Sequence, residues 1–302
     1  MKKWMKRTGI GIGSIVVALV LGVVAVYAAS EVRFRRTYEE IAISPLRAST
    51  DAAALERGRH LATAIGKCVD CHNADLGGKV LFDAGPLGTV VSSNLTAGRG
   101  GVQQQYTDGQ LERAIRHGVS AEGRALAVMP SADYAAMSDA DVQALIAYLR
   151  SVPPVDRELP ETTVRTLGRA LYVFGKLPLF PAEMMEHTAP RPAPVPAGVT
   201  VEYGQYLATI GGCKGCHGPE LAGTTVGHAP GEPGAANLTP QGYFGTWTEA
   251  QFFQAMRTGI RPDGKAIRAP MPWALTGQMT DDEMRAVFMY LKQVPARPTP
   301  QS

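Results

Sequence analysis

The chain opens with its longest apolar run. After a basic head at residues 1–7, residues 8–30 carry no charge and are rich in Ile, Val, Leu, Ala and Gly. That length matches the ~20 apolar residues a helix needs to cross a bilayer. It exceeds the ~7–15 residues of a cleaved signal's apolar core. Residues 1–30 are therefore expected to be an N-terminal membrane anchor, although Val26-Tyr27-Ala28 would also serve as a cleavage site. The basic head belongs on the cytoplasmic side by the positive-inside rule, which exports the rest. Arg33, Arg35 and Arg36, just past the span, make that asymmetry weak.

Beyond the anchor, residues 31–50 read as a polar stalk, and then helical periodicity begins. Ala52, Leu55, Leu61, Ala62 and Ile65 form an apolar stripe over residues 51–65, closed by Gly66. Ser138-Asp139-Ala140-Asp141 introduces a second helix carrying Val142, Leu145, Ile146 and Leu149. Both patterns return later. Tyr203-Gly204-Gln205-Tyr206-Leu207-Ala208 precedes Gly211, and Thr280 with Glu283 forms a capping box before Met284, Val287, Phe288 and Leu291. Shorter strings match between these ends. Asn94-Leu95-Thr96 is repeated as Asn237-Leu238-Thr239, Arg116 and Gly118 as Arg257 and Gly259, and Met129-Pro130 as Met271-Pro272.

The repeat predicts an all-α protein of two homologous domains, at 51–155 and 198–302, after an N-terminal transmembrane helix. Residues 156–197 are rich in proline, above all at 190–196, and read as a semi-rigid linker. A more apolar part of it, residues 163–180, is expected to form a short helix packed on a domain. Were the two domains independent, cleavage at 181–196 would part them.

Composition adds little except by exclusion. With 45% hydrophobic and 19% charged residues, the chain is globular rather than disordered. Its net charge of +3 falls to −1 once Lys2, Lys3, Lys6 and Arg7 are set aside (3 − 4). No basic stripe remains for nucleic acid to bind.

The chemistry lies in five residues that occur twice, Cys68-Val69-Asp70-Cys71-His72 and Cys213-Lys214-Gly215-Cys216-His217. Together they use every cysteine of the chain. C-x-x-C-H is the attachment signature of c-type haem. Two thiols three residues apart reach the two vinyl groups of the porphyrin, and the next residue offers an imidazole to the iron. A redox dithiol would belong in a βαβ setting, and a zinc site would not need a histidine after both pairs. Two covalently bound haem c groups are therefore expected, with His72 and His217 as iron ligands.

A methionine on the opposite face of each haem would close it for electron transfer. Met137 and Met279 stand just before helix N-caps, where an apolar residue staples onto the helix. Met129 and Met271 lie in Met-Pro loops and are the expected distal ligands. His60, His117, His187 and His228 have no counterpart in the other repeat and receive no role, His228 being the one nearest the second pentad in a Gly/Pro-rich loop. Arg116 and Arg257, and Asn94 and Asn237, recur and would suit either a haem propionate or a structural contact.

With the pentads, the Asn-Leu-Thr step, the Met-Pro loop and the terminal helix in place, each repeat resembles a class I cytochrome c domain. The pair is similar to domains of the membrane-bound cytochrome c subunits of periplasmic alcohol and gluconate dehydrogenases. The resemblance implies N- and C-terminal helices crossing over a haem crevice, and it carries His72, His217, Met129 and Met271 over as axial ligands. It further implies a periplasmic electron carrier on the bacterial inner membrane, placed between a dehydrogenase and a terminal oxidase or soluble cytochrome. Those subunits have three haem domains and a C-terminal membrane attachment, whereas this sequence shows two and an N-terminal anchor. A dihaem peroxidase is the enzyme alternative, and it would need one haem with an open face.

Overall fold

The computed structural model describes residues 2–227 and 233–301. The fold is all-α as expected, with one small antiparallel sheet added. In the first repeat, α2 (Ala52–His60), α3 (Cys68–His72), α4 (Asp108–His117), α5 (Ser131–Tyr134) and α6 (Asp139–Ser151) follow the anchor helix α1 (Lys2–Phe34). A hairpin of β1 (Lys79–Asp83) and β2 (Gly88–Ser92) lies between α3 and α4, and β3 (Thr163–Val164) pairs with β2. After α7 (Thr166–Val173) the second repeat supplies α8 (Val201–Ile210), α9 (Cys213–His217), α10 (Glu249–Thr258), α11 (Trp273–Thr276) and α12 (Asp281–Gln293).

Each repeat is built on one tight helix crossing. An added Cβ at Gly58 would lie 1.9 Å from the Ala144 carbonyl oxygen, and one at Gly204 would lie 1.9 Å from that of Ala286. Only glycine lets α2 and α8 come so close to α6 and α12. The repeats then differ by one residue between this glycine and the first cysteine, ten steps against nine. The extra residue is absorbed as a π-helical turn over Leu61–Ile65, closed by Gly66 N–H donating to Leu61 O at 2.7 Å. In the second repeat α8 ends in the ordinary way, with Gly211 N–H on Leu207 O at 2.8 Å.

Helix α1 is long and apolar enough to cross a membrane, and it runs a turn beyond the expected span. Its end is clamped. Arg33 pairs with Glu183, Arg169 bonds Glu31 at 3.0 Å and Ser30 at 2.8 Å, and Phe34 packs on Tyr172 and Phe180. The expected short helix within 163–180 is thus present as α7, packed on α1. Residues 31–50 lie along the first repeat, where Tyr38 N–H bonds Gly123 O and Ala48 N–H bonds Asp108, each at 2.9 Å.

The two repeats meet face to face in a pseudo-twofold contact. His60 and Tyr206 hold equivalent places, as do Asp141 and Glu283. His60 Nε2 meets Glu283 Oε2 at 2.6 Å, and Tyr206 OH donates to Asp141 Oδ2 at 2.6 Å. Arg57 joins the two carboxylates, at 2.9 Å from Asp141 and 3.0 Å from Glu283. Around these charges one apolar core runs from Leu61, Ile65 and Leu145 to Leu207, Ile210 and Met284. The repeats are therefore packed together, not independent bodies swinging on the linker.

Burial alone would raise the Glu283 carboxyl, but the bonds from His60 and Thr280 N–H and the Arg57 charge hold it down to about 2. Its folded pKa is depressed, so its contribution is full above the ordinary carboxyl value of ~4.3 and is lost as pH falls toward 2. Acid unfolding followed by circular dichroism should steepen in that window, and Glu283→Gln should flatten it. Gly58→Ala and Gly204→Ala should each cost at least the ~1–3 kcal/mol of an overpacked core in urea titrations. Protease nicking within 181–196 should leave the two halves co-eluting on native gel filtration and separating only in denaturant.

Candidate haem sites

Both pentads fold as a single helical turn, α3 and α9. Each is entered through a left-handed residue, Lys67 at φ 54° and Gly212 at φ 72°. Each is left through another positive-φ residue, Asn73 at 68° and Gly218 at 80°. The turn sets the two cysteines of a pentad three residues apart, with the histidine next to the second. None of the four cysteines is in a disulfide, and burial pushes Cys68 up to about 12. Among the described residues no three or more His, Cys, Asp or Glu side chains are arranged to hold a metal ion.

The histidines are held alike. His72 Nδ1–H donates to Ser93 O at 2.8 Å, and His217 Nδ1–H to Ala236 O at 2.7 Å. Burial lowers both pKa values, against the smaller opposing pull of those carbonyls, which favours neutral rings. A proton kept on Nδ1 leaves Nε2 as the free lone pair, the tautomer that an iron-ligating imidazole requires. Two cysteines three residues apart and one oriented imidazole on a single turn fit a covalently attached haem.

The methionines separate as the helix-capping pattern anticipates. Met137 and Met279 are 0% and 4% exposed and lie in the core. Met129 and Met271 are half-buried, each before a proline that caps a one-turn helix. Pro130 and Pro272 share a backbone conformation, φ −78° and ψ 51° against φ −82° and ψ 55°. The first loop carries an added constraint. Val128 sits at φ 64°, an outlier for a β-branched residue, and its N–H is held by Leu179 O at 2.9 Å. Such strain concentrates at functional sites.

Other recurring residues prove to be braces. Asn94 donates to Val155 O at 2.7 Å and accepts from Thr96 N–H at 2.9 Å, and Asn237 does the same with Arg297 O and Thr239 N–H, each at 2.8 Å. The Asn-Leu-Thr step thus clips the chain that leaves the last helix of each repeat. Arg116 is buried on Met137 O at 2.8 Å and Asp139 at 2.7 Å, and Arg257 likewise reaches Gly277 O and Asp281. Both pairs thus serve structural contacts. His117 and His187 face one another, Nδ1 to Nδ1 at 3.1 Å. His60, given no role by the sequence, belongs to the contact between repeats. The signal was its alignment with Tyr206 while Asp141 aligned with Glu283. His228 lies outside the described residues.

Comparison with known proteins agrees with this geometry. The cytochrome c family profile matches residues 55–153 and 201–295. The chain is 29% identical over 286 residues to the fructose dehydrogenase cytochrome subunit of Gluconobacter japonicus, covering 84% of this chain and 55% of that one. It is 30% identical over 285 residues to the gluconate 2-dehydrogenase cytochrome c subunit of Pantoea cypripedii, covering 83% and 62%. A "diheme cytochrome c-type" protein of Cereibacter sphaeroides is 29% identical over 262 residues, covering 76% and 83%. The chain thus spans little more than half the length of the first two relatives. It belongs to the cytochrome c family, as an electron-transfer protein with two covalently bound haem c groups.

Proposed function

We propose that this protein is anchored in the bacterial inner membrane by α1 and carries electrons in the periplasm from a dehydrogenase to a terminal oxidase or soluble cytochrome. Support for the donor comes from the relatives named as cytochrome subunits of fructose and gluconate dehydrogenases. Support for the location comes from the apolar helix with its basic head, and from the exported setting in which thioether attachment takes place. The haem domains occupy 51–155 and 198–302.

Cys68 and Cys71 bind one haem and Cys213 and Cys216 the other. His72 and His217 are the proximal ligands, and Met129 and Met271 the distal ones. Haem iron with this ligation supplies reversible one-electron exchange at a raised potential. The carbonyls of Ser93 and Ala236 keep each imidazole in one tautomer and one orientation, so little rearrangement accompanies a change of charge. The proline-capped loops present each methionine from a fixed backbone.

The observation that carries this reading is its symmetry. Both repeats pair an oriented neutral histidine with a methionine in the same Met-Pro backbone conformation. The oxidised protein should show the methionine-to-iron absorption band at a strength for two haems. Met129→Ala and Met271→Ala should each remove half of it and lower one midpoint potential, with helix content unchanged by circular dichroism. A native protein that lacked half the band and turned over hydrogen peroxide would sink the proposal in favour of a peroxidase.

A further inference from the structure

The two pentads are not only alike; the residues that lead into them, Ile65 and Lys67 on one side and Gly211 on the other, lie against one another. An added Cβ on Gly211, two residues before Cys213, would sit 3.5 Å from Ile65 O and 3.6 Å from Lys67 Nζ. Lys67 directly precedes Cys68. Its Nζ donates to Ile65 O at 2.7 Å and across the contact to Gly211 O at 2.9 Å. Among the described residues no carboxylate pairs with it within 4.0 Å, so at short range its charge is met by carbonyl dipoles. Several carbonyl acceptors are what the three donors of an ammonium call for.

A second charge enters from the same side. Asp133 lies on α5, four residues after Met129. Its Oδ2 would stand 3.3 Å from an added Cβ on Gly212 and 3.5 Å from one on Gly215, inside the second pentad. The second repeat returns neither charge. Its residue equivalent to Lys67 is Gly212, and its residue equivalent to Asp133 is Leu275. The contact is thus asymmetric. The first repeat brings one cation and one anion to the turn that carries the other haem, where Lys214 of that turn also acts on Asp133, and at the equivalent places it receives glycine and leucine.

From this arrangement we infer that Lys67 and Asp133 are the charges that tune the midpoint potential at the contact between the two haem attachments, and with it the ease of electron passage across it. The inference rests on the reading of both haems as closed electron-transfer centres. Reduction adds one negative charge to a haem. A nearby ammonium favours that state and a nearby carboxylate opposes it, and both side chains are half-buried, which weakens screening by solvent. The two residues act through the field and not by touching iron, so they are tuning residues rather than ligands.

The test is a spectroelectrochemical titration of the full-length protein in detergent, resolving both midpoints. Lys67→Met should lower at least one midpoint and Asp133→Asn should raise at least one. Each shift should be about tenfold in the reduction equilibrium, which is 59 mV for a one-electron couple. The double variant should return close to the native values, whereas packing damage would add rather than cancel. Should Lys67→Met fail to take up haem, Asp133→Asn and Lys67→Arg still decide, the latter expected to keep native potentials. Shifts of one sign in both variants, or potentials that do not move while the methionine band is intact, would overturn the inference. A native protein without that band would instead defeat the carrier reading beneath it.

Discussion

Everything in this fold depends on how closely two helices can approach. Where Gly58 meets Ala144, and Gly204 meets Ala286, a backbone carbonyl fills the place of a side chain. That crossing fixes how α2 lies on α6 and α8 on α12, and each pentad follows within about ten residues of its glycine. Because the constraint is steric and local, it leaves the length of the next few residues free. The first repeat could take one more residue before its cysteines, provided the surplus was wound into a π turn. The second kept the plain helix and arrived at the same geometry.

The contact between repeats reuses the surfaces that the crossings leave exposed. The N-terminal turns of α6 and α12 each place a carboxylate toward the other repeat, where His60 and Tyr206 answer them. Both carboxylates are also tied to the start of their own helix. Glu283 accepts from Thr280 N–H, whereas Asp141 is linked to Ser138 N–H through the Tyr206 hydroxyl. Buried charges of this kind are weak evidence for added stability, but the loss of one partner is costly. They restrict the docking to one geometry in a way that an apolar face alone would not.

Much of this was legible in the chain. The pentads, the twofold repeat, the membrane-length helix and the division of methionines into core and loop all come from spacing and capping signals. The residues that escape sequence reasoning are those whose meaning lies in a partner distant in the chain. Asn94 and Arg116 recur visibly, yet whether they face a cofactor or a carbonyl is decided by residues some twenty to sixty positions away. The three-stranded sheet is hidden because Lys79–Asp83 and Gly88–Ser92 are short, and their third partner is two residues inside a proline-rich stretch. His60 reads as a lone histidine, although its place in the alignment holds the clue.

The clamp at the end of α1 has a bearing on how such a protein would meet its partners. An unbroken helix passes from the apolar run into contact with Glu183, Arg169 and Tyr172, and residues 31–50 are laid down along the first repeat. With that helix in a bilayer, the first repeat stands at a set height and tilt above the surface instead of drifting on a tether. A partner held in the same bilayer would then search in two dimensions and meet the same face at each encounter. A domain on a loose tether would present every face in turn, and most collisions would be wasted.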